Sequence, residues 1–161
     1  MEKKDMDKEL INTNSKEKLI TVIHKVLDSR GTILSTSEKK NTIRANTTVD
    51  FETSQTINHP ILWDVNNPYQ YTLQTSVFED SKLIDEVTES FGVRTIQFTA
   101  DDGFHLNGRR VQLKGVNLHS DHGPLGVAFN YRAMERQLEI MKSMGVNAIR
   151  NSHNVAAPEL L

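Results

Sequence analysis

Two short stretches of this 161-residue chain bring together residue types that could do chemistry. The first, VQLKGVNLHSDHGPLG, carries Asn117, His119, Asp121 and His122; the second, VNAIRNSHN, carries Arg150, Ser152, His153 and Asn154. Each is a brief apolar run that ends in polar side chains. Between them lies NYRAMERQLEIMKSMG, where Met134, Leu138 and Met141 fall four and three apart, the spacing of one apolar helix stripe. Strand, helix and strand in that order are the βαβ unit, whose two strands run parallel. In barrels built of such units, the chemistry sits at the carboxyl ends of the strands. Imidazole, guanidinium and amide groups converging there would suit one wall of a sugar-binding pocket.

The helix is expected to begin after Asn130, whose side chain can accept from first-turn amides, and to stop at Gly145. Upstream, Asn107-Gly108 between Phe104–Leu106 and Arg110–Leu113 is a strong short hairpin signal. The chain before that reads as β-structure. Ile20, Val22, His24 and Val26 alternate with their neighbours, and so do Tyr71, Leu73, Thr75 and Val77, the period of two expected of strands. Asp28-Ser29-Arg30-Gly31 is a turn. Thr36–Asn41 reads as a polar loop, Thr42–Ile57 as one strand and part of another, and Phe91–Ala100 as a further strand. About seven short strands at roughly 8–12-residue spacing predict an immunoglobulin-like sandwich. The resulting fold class is mainly β: an immunoglobulin-like β-sandwich followed by the first βαβ portion of an incomplete (β/α)8 barrel. Residues 1–18 form a lead-in or edge segment, 19–101 the sandwich, and 102–161 the start of the barrel.

Composition narrows the function classes. A net charge of −2 gives no basic stripe for nucleic acid, and no apolar run approaches the roughly 18 residues of a membrane span. Without cysteine there is no disulfide framework and no thiolate metal site. His119, Asp121, His122 and His153 could be read as zinc ligands, but their spacing matches no named motif, so no metal site is assigned. His24, His59 and His105 are most simply structural, and the methionines are core packing. His119 reads either as a donor to a sugar hydroxyl or as a loop histidine. Asp121 reads equally as a ligand contact or a loop cap. Arg150, near the end of a strand expected to be buried, calls for a carboxylate partner.

The pair GVNLHSDHGPLG and MKSMGVNAIRNSHNVAAPELL resembles the opening of the catalytic barrel of glycoside hydrolase family 2, particularly its bacterial β-galactosidases. The resemblance is close over Phe91–Leu161 and looser over Leu19–Ser90. It implies a retaining glycosidase that hydrolyses terminal β-D-galactosides, with β-glucuronidase and β-mannosidase as rivals in the same family. A non-catalytic sandwich module that binds a partner domain or carbohydrate is the alternative from another class. By the same resemblance, His119, Asp121, Arg150, His153 and Asn154 would line the substrate-binding subsite, and Arg150 would support the nucleophilic glutamate. Ser120 and Asp121 stand where relatives often have a second His or a carboxylate, and Val155-Ala156 replaces a common pair of prolines.

Retaining glycosidases need two carboxylates about 5–5.5 Å apart, and the family carries both on later barrel strands. Glu135, Glu139 and Glu159 lie on the helix or at the terminus, so no catalytic residue is assigned within this chain, which is expected to be inactive by itself. No cofactor is expected here, while the resemblance leaves room for a divalent or monovalent cation in the intact enzyme. The implied partners are a β-galactoside or oligosaccharide, the missing domains of the same polypeptide and a second copy in a homo-oligomer, with neither nucleic acid nor membrane. For compartment, the bacterial periplasm or exterior is favoured over the cytoplasm.

Overall fold

The computed structural model describes residues 2–160 apart from Ser120 and Asn154, with side chains described from Glu9 onward. The chain divides into two units, residues 1–95 and 96–161.

The first unit contains β1 (Glu2–Asn12), β2 (Lys18–Leu27), β3 (Ile33–Ile43), β4 (Thr47–Ile57), β5 (Tyr71–Glu79) and β6 (Lys82–Phe91). One sheet has the order β3-β2-β5-β6, and β1 pairs with β4 in a second; the pairings are antiparallel. Alternation explains the core. Register sets Val22 opposite Val77, His24 opposite Thr75 and Val26 opposite Leu73, so one face of β2 and β5 is buried, with apolar pairs on either side of one polar pair. Phe51 and Ile57 of β4 close onto that face in two clusters, one with Ile20, Val22, Ile43 and Val77, the other with Val26, Tyr71 and Leu73. Two sheets packed face to face in this way make a sandwich.

Polar groups at the centre of this interior are bonded, as burial favours. His24 Nδ1 lies 2.9 Å from Thr75 Oγ1, and Gln55 Nε2 donates to the His24 carbonyl at 2.9 Å and to Ser37 Oγ at 2.9 Å. His24 is therefore a structural core residue. The turn after β2 forms as its residues suggest: Gly31 takes φ +82°, and Asp28 Oδ1 accepts from the amides of Arg30 (2.9 Å) and Thr32 (2.8 Å). The amide of Thr32, followed by that of Arg30, holds the Asp28 carboxyl below the usual carboxylate range.

Two segments differ from the sequence reading, and a third settles an alternative it left open. Thr36–Asn41, expected as a loop, is the middle of β3 and pairs with β2 from Ile20 to Lys25. Its charges sit on a sheet edge, where they cost little and discourage further pairing. The charged lead-in, read as a lead-in or an edge segment, contains a full edge strand, since β1 pairs with all of β4. The strand expected over Phe91–Ala100 is split. Phe91 ends β6, and the chain then leaves the sheet beside Trp63, whose N–H donates to the Val93 carbonyl at 2.8 Å. The Trp63 ring fits against Gly92, where a Cβ would come within 2.9 Å of it, and Arg94 lies over its face with 4.5 Å to the ring centroid.

The second unit begins with β7 (Ile96–Thr99), β8 (Gly103–Leu106) and β9 (Arg109–Arg110), a three-stranded antiparallel sheet. Thus Ile96–Thr99 pairs with β8 instead of extending the sandwich. Asn107 (φ +52°) and Gly108 (φ +73°) form the hairpin turn, the geometry that matches strand twist. Asp102 accepts from His105 Nε2 at 2.8 Å and Arg110 Nε at 3.0 Å, which ties the hairpin together. There follow β10 (Gly115–Leu118), α1 (Tyr131–Ser143) and β11 (Ala148–Asn151), with β10 and β11 parallel. Asn130 caps α1 by accepting from the Ala133 amide at 3.0 Å, and Gly145 takes φ +85° beyond its end. Within the expected stripe, Met134 is buried and Leu138 and Met141 are half-buried. No helix among the described residues is long and apolar enough to cross a membrane.

Candidate active-site wall at the ends of two parallel strands

The register of the parallel pair sets Gly115 beside Ala148, Val116 beside Ile149, Asn117 beside Arg150 and Leu118 beside Asn151. Successive side chains alternate across a strand, so Asn117 and Arg150 share one face. Leu118 and Asn151 share the other, where they line a cavity of about 230 Å³ together with Met134 of α1.

Asn147 fixes the start of the pair. Its backbone N–H donates to the Lys114 carbonyl (3.0 Å), its Oδ1 accepts from the Lys114 amide (2.8 Å), and its Nδ2 donates to the Gln112 carbonyl (2.9 Å). Ser152 fixes the far end. Its N–H donates to the Leu118 carbonyl at 2.8 Å, and the residue is only 1% exposed. His153 then takes φ +63°, a left-handed conformation uncommon for a residue with a side chain. The turn brings its ring to 5.6 Å from that of His119, centroid to centroid, with the planes at 41°. The two histidines, 34 positions apart in sequence, therefore meet above the two strand ends.

Arg150 corrects one expectation. Its side chain is exposed instead of buried, and Nη1 donates to Ser152 Oγ at 3.0 Å. No carboxylate among the described residues pairs with it. Asp121 acts as a loop cap: its Oδ1 accepts from the Gly123 amide at 2.8 Å, and its own N–H donates to the His119 carbonyl at 2.8 Å. His122 turns inward instead, 8% exposed and edge-on to Phe129 at 6.0 Å between ring centroids, and it lines the cavity on the helix side. Asn154, a further candidate contact, lies outside the described residues.

The structure thus brings His119, His153 and Arg150 to one end of the strand pair. It sends Asp121 into the loop. The sequence reading missed the bracing done by Asn147 and Ser152, although both belong to the VNAIRNSHN motif; only the strand register reveals what their polar atoms meet. No group of three or more His, Asp or Glu residues that could hold a metal ion occurs among the described residues. The helix glutamates lie away from the strand ends: Glu135 and Glu139 pair with Arg132 at 2.7 and 3.2 Å on the exposed side of α1.

A β-sandwich joined to a βαβ unit, with polar groups gathered where two parallel strands end, defines a class: the opening of a barrel enzyme. Comparison makes this specific, for the chain belongs to glycosyl hydrolases family 2. The model of that family matches residues 5–94, and the model of its TIM barrel domain matches residues 98–161. A β-galactosidase of Bacteroides ovatus is 41% identical over 152 residues, covering 94% of this chain and 18% of that protein. A β-glucuronidase of Bacteroides fragilis is 39% identical over 98 residues, covering 60% of this chain and 14% of its own length. Among solved structures, a family 2 member from Bacteroides cellulosilyticus superposes with a TM-score of 0.88 at 33% identity, covering 98% of this chain and 22% of its own. A Bacteroides uniformis β-glucuronidase, covalently bound to cyclophellitol-6-carboxylate aziridine, superposes with a TM-score of 0.91 at 28% identity, covering 98% of this chain and 19% of its own. The chain therefore spans about a fifth, or less, of the relatives it matches.

Proposed function

We propose that the polypeptide carrying this chain is a retaining glycosidase that hydrolyses terminal β-D-galactosides, and that the chain supplies the sandwich and the first strand ends of its catalytic barrel. The observation that carries this reading is the match to the B. ovatus β-galactosidase, which runs through both units. In this role the His119–His153 pair offers imidazole N–H groups to sugar hydroxyls, and Arg150 offers a fixed positive charge to a carboxylate. Retention requires two carboxylates about 5–5.5 Å apart. With Glu135 and Glu139 engaged by Arg132 on the helix, the chain by itself should not turn over an aryl β-galactoside.

A second reading, β-glucuronidase, is favoured by the names of two of the relatives above. It also has a chemical basis, because a guanidinium recognises a carboxylate through paired hydrogen bonds and a uronic acid carries one. The test is a comparison of kcat/KM for aryl β-galactoside and aryl β-glucuronide with the full-length polypeptide. Preference for the galactoside supports the proposal. Preference for the glucuronide selects the second reading, and no turnover of either refutes both.

A further inference from the structure

We propose that Ser152 is a positioning residue, which couples the strand end that delivers His119 to the guanidinium of Arg150. This rests on the glycosidase reading above. Ser152 makes two bonds in different directions. Its backbone N–H reaches the carbonyl of Leu118 at 2.8 Å, the residue immediately before His119. Its hydroxyl accepts from Arg150 Nη1 at 3.0 Å, two residues earlier in the chain. The residue is 1% exposed, so the hydroxyl is a deliberate expense: an alanine would fill most of the space without a polar group to satisfy.

An arginine side chain has about 2 kcal/mol of rotamer entropy to lose, and this one is exposed. Without an anchor it samples many directions. One acceptor on Nη1 leaves Nε and Nη2 free to meet a carboxylate in a fixed orientation, the form of preorganisation that functional groups need from their surroundings. The same residue sets the spacing of the two strand ends, so the guanidinium and the histidine pair are held in one frame. His153, the next residue, turns back through its left-handed φ of +63° to meet His119.

The experiment has two arms. In the full-length polypeptide, Ser152→Ala should lower kcat roughly tenfold, the size of one hydrogen bond to a charged group, with KM little changed and with most activity restored by Ser152→Thr. In an Arg150→Ala background, Ser152→Ala should cost almost nothing further, because both changes remove the same interaction. Additive losses would overturn the inference and leave Ser152 a packing residue. The second arm needs no turnover. In the 161-residue chain labelled with ¹⁵N, the Arg150 Nη protons should give a resolved signal that Ser152→Ala abolishes. An identical signal in both proteins would overturn the contact. If the wild-type full-length polypeptide hydrolyses no glycoside, the glycosidase reading fails, while the labelled chain still decides whether Ser152 holds Arg150.

Discussion

In the first unit Val22, Val26 and Phe51 are 0% exposed, whereas in the second Phe98, Val127 and Val155 are 71%, 79% and 98% exposed. Both units contain sheets with an apolar face. They differ in what lies on that face. The four-stranded sheet of the sandwich is covered by β1 and β4, and its core-facing residues form two continuous clusters. The parallel pair β10–β11 has α1 on one side only, and the buried apolar residues described in this unit are Leu106, Leu118 and Met134. Parallel strands normally have both faces covered and neighbours on both edges. The contrast lies in enclosure: within this chain the antiparallel unit surrounds its own apolar core, while the parallel pair places polar side chains at its strand ends.

The largest expected effect comes from enlarging the difference. Phe51→Ala removes a fully enclosed ring and should destabilise the sandwich by about 3–5 kcal/mol, read as a lower urea midpoint in far-UV circular dichroism. The matching change in the second unit, Met134→Ala, should cost about 2 kcal/mol, the low end for such truncations, since Met134 has a thinner layer around it. Equal losses at the two sites would break the comparison.

Much of this division is legible in the sequence where backbone and side chain give the same instruction. The alternations through Val22 and Leu73, the Asn107-Gly108 turn, the Asn130 cap and the Gly145 stop each act locally, and each appears where expected. What is not legible depends on partners distant in the chain. The charged middle of β3 looks like a loop until β2 supplies hydrogen bonds along its length, and β4 decides that the lead-in is an edge strand. Ile96–Thr99 has strand character by itself, but only topology decides that it pairs with β8. The same holds at the site. His119, Arg150 and His153 are conspicuous by type, while Ser152 gains its meaning from a register that sets Leu118 beside Asn151. Arg150 was expected near the end of a buried strand with a carboxylate partner; it is exposed, and the partner it meets is the Ser152 hydroxyl.

Two smaller effects sharpen the contrast within single elements. Asn130→Ala removes the cap on α1 and should cost about 1 kcal/mol, detectable as faster exchange in the first helical turn with no change in the sandwich. The smallest effect concerns Asp28, whose carboxyl is held below its ordinary value by the amides of Thr32 and Arg30. A group with a depressed folded-state pKa stabilises above its unfolded value, about 3.9 for Asp, and loses that contribution as pH falls through the folded value. Asp28→Ala should therefore narrow the stability gap between neutral and acid pH for the sandwich. An unchanged pH dependence would show that the turn contributes nothing through this carboxylate.

The contrast between the units is tested most directly by amide hydrogen exchange on the monomeric chain, comparing the central amides of β5, Tyr71–Val77, with those of Met134–Met144 in α1. Slow exchange in β5 at the level of global unfolding, with α1 exchanging much faster through local opening, is the expected result. Protection of α1 equal to that of β5 would contradict it, because the second unit would then hold its helix as firmly as the sandwich holds its core.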